Sequence, residues 1–250
     1  MDKILEVCVD SLASARAAIA GGADRLELCS ALLVGGLTPS GALFKQIRRE
    51  SSIPIRCLIR HRPGDFLYTE EEKELLGMQI QELKDLGADG FVIGCLTEEG
   101  DLDLPAMEKL ISLCDGCGVT LHRAFDVSRD LEQSYIDAAK LGVDTVLTSG
   151  GASSSRWGAD TIGRLLDLQE AGGPEVMIGA GVNAQVVTLF RRLYPAAHAF
   201  HMSGKRERES RMQFRREDVP MGLPGLDEWH IQQTDREAVA QAKRALTAQI

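Results

Sequence analysis

The sequence predicts one (β/α)8 barrel, the TIM-barrel fold, spanning residues 1–250 as a single domain. Three observations point there. Short apolar runs alternate with longer amphipathic stretches from one end of the chain to the other. Glycine-led joints stand between amphipathic runs and the apolar runs that follow them. A length of 250 residues also matches the usual size of one closed barrel. Periodicity alone does not prove closure, so an open doubly wound sheet is the alternative.

Strands are expected at 4–9, 24–29, 54–60, 90–95, 118–123, 144–149, 175–179 and 197–202, with helices between them near 12–21, 40–50, 70–86, 105–115, 131–141, 160–171 and 183–193. A last helix is expected near 235–248. The joints Gly22-Ala23-Asp24, Gly87-Ala88-Asp89 and Gly142-Val143-Asp144 end a helix in the left-handed conformation and lead into a strand. Thr69 with Glu72 and Thr234 with Glu237 fit capping boxes. Leu76, Ile80 and Leu83 fall on one helical face, directed at the barrel wall. Two connections exceed the ~2–6 residues usual for such units. They run from His61 to Thr69 and from Ser203 to Thr234, the second holding Gly222-Leu223-Pro224-Gly225. Both follow strands and so lie over the face where barrel enzymes keep their sites.

Composition narrows the partners. With 37 acidic and 28 basic residues, the net charge of -9 disfavours nucleic acid or an anionic membrane, which need a cationic face. The local run Lys205-Arg206, with Arg208 and Arg211, suits either a small anion or a solvated loop. No segment approaches the ~18 apolar residues of a membrane span. Met1-Asp2-Lys3 leads straight into an apolar run, without the layout of a signal peptide. Six scattered cysteines in a chain of this size read as free thiols, so a cytoplasmic location is expected.

Strand alternation selects the inward side chains. If Leu5 and Val7 face the helices, Glu6 and Cys8 face the axis, and the same logic turns Glu27 and Cys29 inward. Buried carboxylates need cations or a polar cavity. Arg60 and Arg62 end the third strand, His122, Arg123 and Asp126 the fifth, and His201 with Ser203 the eighth. These are the ingredients of general acid–base chemistry on an anionic substrate, with Glu6, Glu27, Arg60, His122, Arg123 and Asp126 as catalytic candidates. Arg60 and Arg123 are expected to hold the anion, leaving Glu27 and His122 to move protons. The competing arrangement pairs both arginines permanently with Glu6 and Glu27. Gly179, Gly181, Ser203 and Gly204 suggest a backbone anion site after the last two strands, or simply tight turns. Cys8 and Cys29, inward on adjacent strands, form either a two-coordinate soft site for Cu(I) or ordinary core packing. Cys114-Asp115-Gly116-Cys117 is a lone pair of cysteines and a poor zinc signal.

Several segments together resemble the CutC family, the proteins named for copper homeostasis. They are Glu6-Val7-Cys8-Val9-Asp10-Ser11, Gly22-Ala23-Asp24-Arg25-Leu26-Glu27-Leu28-Cys29, Gly35-Gly36-Leu37-Thr38-Pro39-Ser40, Ile59-Arg60 with Gly64-Asp65-Phe66, His122-Arg123-Ala124-Phe125-Asp126, Leu147-Thr148-Ser149-Gly150, and Gly179-Ala180-Gly181-Val182. The likeness departs at His61 and Pro63 and is loose at His201-Met202-Ser203-Gly204. It implies a barrel, a cytoplasmic location and association into homo-oligomers. Two functions of different class follow: a copper homeostasis protein binding Cu(I) through Cys8 and Cys29, and a barrel enzyme acting on a small anionic, phosphorylated or carboxylated, metabolite. A catalytically dead scaffold would leave the inward carboxylates unexplained.

Overall fold

In the computed structural model, eight parallel strands close on themselves in sequence order. The structure describes residues 2–249 apart from positions 217, 218, 220, 221, 223, 224 and 226, so Met1, Leu223 and Pro224 of the sequence reading lie outside the described residues. The strands are β1 (Ile4–Val9), β2 (Arg25–Leu28), β3 (Ile55–Leu58), β4 (Gly90–Ile93), β5 (Gly118–Leu121), β6 (Thr145–Thr148), β7 (Glu175–Ile178) and β8 (Ala199–Met202). The helices are α1 (Leu12–Gly21), α2 (Gly41–Glu50), α3 (Glu70–Asp85), α4 (Leu104–Cys114), α5 (Leu131–Lys140), α6 (Ala159–Glu170), α7 (Ala184–Leu193) and α8 (Arg236–Thr247). The sheet is a closed barrel, and the open doubly wound alternative falls.

The core divides as the alternation requires. Leu5, Val7, Val9, Leu26 and Leu28 pack outward, in one cluster with Ala15, Ala18, Phe44 and Ile47 of the helices. Two smaller apolar clusters plug the interior: Leu147, Met177 and Ala199 in one, Cys29, Leu58 and Val92 in the other. Between the strands' inward faces lies a polar layer. There the Arg56 guanidinium donates to Thr120 and, at 3.0 Å, to Thr145. Glycines make room for it: a Cβ at Gly118 would stand 2.7 Å from Arg56 Nη2, and one at Gly90 2.9 Å from its Cγ.

The glycine joints behave as expected, with φ of +92°, +88° and +76° at Gly22, Gly87 and Gly142. The aspartate closing each joint has a further role. Asp24, Asp89 and Asp144 accept the backbone N–H of Leu5, Ile55 and Val119 at 2.7, 2.8 and 2.6 Å, tying each strand's start to its neighbour. The capping box at Thr69 and Glu72 forms. The one expected at Thr234 does not, because Asp235 caps α8 through Ala238 N while Thr234 donates to the Ser203 carbonyl. The second long connection also holds an antiparallel hairpin, β9 (Lys205–Glu209) with β10 (His230–Thr234), where a loop was expected. Among the described residues no helix is long and apolar enough to cross a membrane.

Candidate functional site

Register sets the site. In β1 and β2 Cys8 stands opposite Glu27, while Glu6 stands opposite Arg25 and, on the other side, opposite His201 of β8. Side chains of alternate residues therefore stack in layers, with Glu6 one layer beneath Cys8 and Glu27. A cavity of about 230 Å³ opens above that layer at the C-terminal ends of the strands. Cys8, Glu27, Arg60, His122, Arg123, His201 and Ser203 are in its wall, with Phe66 and Lys205. Glu6, a catalytic candidate by alternation, faces the axis as expected but does not line this cavity. It is wholly buried below, because its position in the register meets Arg25 and His201 rather than the opening.

Glu6 is the fixed charge of the group. Its Oε2 accepts from Arg25 Nε at 2.5 Å and its Oε1 lies 2.8 Å from His201 Nδ1. Burial alone would raise this carboxyl, but Arg25 and the His201 hydrogen bond overcome burial and hold it at about 2. Glu27 is in the opposite state. Burial pushes its carboxyl up to about 7, with His201 opposing and the Glu6 charge reinforcing the rise. Its Oε2 is buried without a hydrogen-bond partner. For His201, burial works against the charged ring, but Cys8, Glu27 and Glu6 prevail and raise it well above the ordinary imidazole range.

The opposite wall is built from β3 and β5. Arg60 donates through Nη1 to the carbonyls of Val34 and Gly36, both at 3.0 Å, and through Nη2 to Gly64 at 2.9 Å. Its guanidinium lies over the Phe66 ring, 5.2 Å from the centroid. Arg25 and Arg123 pair with Glu6 and Asp126. Arg60 pairs with no carboxylate among the described residues, and its Nε is buried without a partner. The closed network of Arg60 and Arg123 with Glu6 and Glu27 is therefore not the arrangement adopted. His122 Nδ1 accepts the Ala124 N–H at 3.1 Å, which fixes the neutral ring's proton on Nε2. That Nε2 is buried and unpartnered. Burial, then the Arg60 charge, lowers His122 to about 3, so the ring is neutral.

Asp126 stands apart from the cavity. It takes Arg123 Nε at 2.6 Å, Thr148 Oγ1 at 2.6 Å and the backbone N–H of Ser149 and Gly151 at 2.9 and 3.1 Å. These bonds make it the tie between the loops after β5 and β6, and Arg123 is anchored by it and by Ser149 Oγ at 2.8 Å. Of the four residues expected to cradle an anion, Ser203 reaches the wall. Gly179, Gly181 and Gly204 do not line it. The loop after β7 is instead bound to the loop after β6, with Ser155 N and Oγ both donating to Ala180 O at 3.0 Å. Cys29 sits outside the wall, wholly buried, its thiol 3.4 Å from the Val9 carbonyl. Burial, then Cys8 and Glu27, raise it well above the ordinary thiol range.

Arg25, Arg56 and Phe66 were not among the sequence candidates, and His201 was named only as a strand ending. The parity that turns Glu27 and Cys29 inward also turns Arg25 inward, and that of Arg60 turns Arg56 inward. A larger cavity of about 690 Å³ adjoins the site, walled by the β9–β10 hairpin and sharing Leu32 and Lys205 with it. It holds none of the unpartnered buried atoms.

Gly94 supports the His122 ring directly. A Cβ there would lie 2.5 Å from His122 Cε1 and 2.6 Å from Nδ1. Gly94→Ala is expected to displace the imidazole and cost about 1–3 kcal/mol through overpacking. Urea denaturation with the NMR resonances of His122 checks it, and an unmoved resonance would contradict the packing described.

Comparison with known proteins gives a consistent result. The CutC family model matches residues 3–205. A family protein CutC of Vibrio campbellii is 41% identical over 248 residues, 98% of this chain and 100% of the relative. One from Chromobacterium violaceum is 39% identical over 246 residues, 98% of this chain and 99% of the relative. The crystal structure of a CutC from Streptococcus agalactiae, whose name attaches it to copper homeostasis, superposes with a TM-score of 0.75 at 27% identity. That match covers 80% of this chain and 98% of the other.

Proposed function

The chain belongs to the CutC family, and from that premise we propose that it is a barrel enzyme performing acid–base chemistry on a small anionic metabolite bound between Arg60 and Glu27. One observation carries the reading. Three polar atoms, Glu27 Oε2, His122 Nε2 and Arg60 Nε, are buried without partners on residues that share one cavity. Each such atom costs about 1–3 kcal/mol if left unsatisfied, so their convergence points to a ligand that satisfies them. Arg60 supplies a charge that no described carboxylate neutralises, with Arg123 and Lys205 beside it in the wall. Glu27, poised at about 7, is suited to take and return a proton near neutrality. His122, kept neutral, offers an N–H to an oxygen that develops charge, as a neutral imidazole does in other barrel enzymes.

Copper is the second reading, favoured by the name of the Streptococcus agalactiae relative and by the positions of Cys8 in β1 and Cys29 directly after the paired strand β2. Cu(I), as cargo, needs soft thiolate donors. Cys8 offers one in the wall, but Cys29 lies outside it and is held as a protonated thiol. The two-thiolate site is accordingly the weaker fit. Loss of Cu(I) to a competing chelator on Cys8→Ser and Cys29→Ser substitution would favour copper over the anion. The six free cysteines suit a reducing compartment, and sedimentation equilibrium tests the homo-oligomer that the family resemblance implies.

The anion reading has a direct test. Phosphorylated and carboxylated metabolites that bind the native state raise the melting temperature, about 2.7 kcal/mol of stabilisation at 100 times Kd. Arg60→Ala should abolish the rise. A full panel without any shift, on folded protein, counts against the reading.

A further inference from the structure

We propose that Cys8 is a nucleophile, set beside an imidazole that a buried carboxylate orients, and that it adds to the carbonyl carbon of the small anionic substrate. The inference rests on the anion-binding reading of this cavity. β1 places Glu6 and Cys8 two residues apart on one inward face, and β8 sets His201 opposite Glu6. His201 Nδ1 lies 2.8 Å from Glu6 Oε1, and His201 and Cys8 stand in the wall of the same cavity. Arg25 holds the other Glu6 oxygen at 2.5 Å. Carboxylate, imidazole and thiol are thereby gathered at one site as nucleophilic catalysis requires: an orienting group, a proton carrier and the attacking atom.

Two further facts separate Cys8 from an ordinary buried cysteine. Cys8 lines the cavity, and no other cysteine does. Cys29, Cys114 and Cys117 stand against backbone carbonyls at 3.4, 3.3 and 3.6 Å, and burial holds Cys57 and Cys95 as protonated thiols. The same cavity carries Glu27, its side chain 7% exposed with Oε2 unpartnered, and the unpartnered His122 Nε2. The wall therefore already presents an acid–base group and an N–H donor to whatever the thiol attacks.

In the step proposed, Cys8 Sγ forms a bond to the carbonyl carbon and the C=O π pair moves onto oxygen. His201, which carries its proton beside Glu6, gives that proton to the oxygen and takes up the thiol proton, giving a thiohemiacetal with no atom gained or lost. His122 Nε2–H is the wall's donor for the same oxygen. Glu27 is then free to act on an adjacent C–H or O–H.

Alkylation tests this without knowledge of the natural substrate. Folded wild-type protein is treated at neutral pH with iodoacetate or iodoacetamide, and modified peptides are followed by mass spectrometry. The S–C bond forms as iodide leaves with its electron pair, and the thiol proton is released to solvent. Cys8 should be carboxymethylated at least about tenfold faster than any other cysteine, faster with iodoacetate than with iodoacetamide, and more slowly when inorganic phosphate is present. His201→Gln should lower the rate about 100-fold. A Cys8 that reacts no faster than Cys117 overturns the proposal, and a melting temperature still raised by phosphate would then leave the anion reading standing. A fast Cys8 indifferent to reagent charge and to phosphate would instead uphold the nucleophile and overturn the anion.

Discussion

Glu6→Ala is expected to lower the stability of the protein by about 3–5 kcal/mol, the usual cost of removing one partner from a buried ion pair. The Glu6 side chain is wholly buried and is the counter-charge that Arg25 and His201 share. Without it, two cationic side chains, each about 11% exposed, remain in the barrel interior with Arg56 nearby. Glu6→Gln should cost less, since an amide can still hydrogen-bond to Arg25. Removing the exposed pair of Arg16 with Glu50 should cause no comparable loss, because solvent screens it. Urea denaturation of the three variants at neutral pH checks the ranking. The sign of the acid dependence follows as well. Glu6 is depressed from the ordinary 4.5 to about 2, so its contribution is complete above pH 4.5 and fades as pH falls toward 2. A Glu6→Ala variant as stable as wild type would show that Arg25 and His201 do not depend on this carboxylate.

How much of this was legible in the sequence depends on whether a feature is local. The inward direction of Glu6, Cys8, Glu27 and Cys29 follows from alternation along one strand, which needs only local backbone geometry. The glycine joints are local in the same sense. Which inward groups meet is not local. Glu6 finds Arg25 and His201, and Arg56 reaches Thr120 and Thr145, because a closed sheet staggers its strands by a fixed amount that no single segment encodes. The likeness of the Glu6/Cys8 and Glu27/Cys29 pairs hides the same stagger, which leaves Cys8 in the cavity wall and Cys29 beyond it. The hairpin of β9 and β10 escaped for another reason: Lys205-Arg206-Glu207-Arg208-Glu209 is exposed throughout and has no apolar alternation to read. The cap expected at Thr234 fails because Asp235, one residue nearer the helix, accepts the Ala238 N–H instead.

His122 should make the protein sensitive to acid over a window that reaches well above the carboxylate range. Its ring titrates at about 3 in the folded protein, against an ordinary 6.5, because it is buried and faces the Arg60 charge. As pH falls below 6.5, the unfolded chain takes up a proton at this residue and the folded chain does not. The stabilisation is therefore complete above pH 6.5 and is lost as pH falls through about 3, amounting to roughly 4–5 kcal/mol over the window. Glu27 runs the other way. Its carboxyl is raised from 4.5 to about 7, so it favours folding most below pH 4.5, and that contribution of about 3 kcal/mol disappears as pH rises through 7. Between pH 4.5 and 6.5 the two oppose each other, and the wild-type curve alone does not separate them. His122→Gln removes one of them. Urea unfolding between pH 4 and 7 should show the variant losing markedly less stability on acidification than the wild type, and parallel curves would sink the claim. The functional consequence is that His122 does not become an imidazolium at any pH near neutrality. With Nδ1 committed to the Ala124 N–H, its Nε2–H stays a fixed donor toward the cavity while Glu27 is free to gain and lose its proton. On the proposed acid–base reading, two titratable groups whose surroundings push their proton affinities apart would divide the labour in this way: one holds its proton throughout, and the other exchanges it.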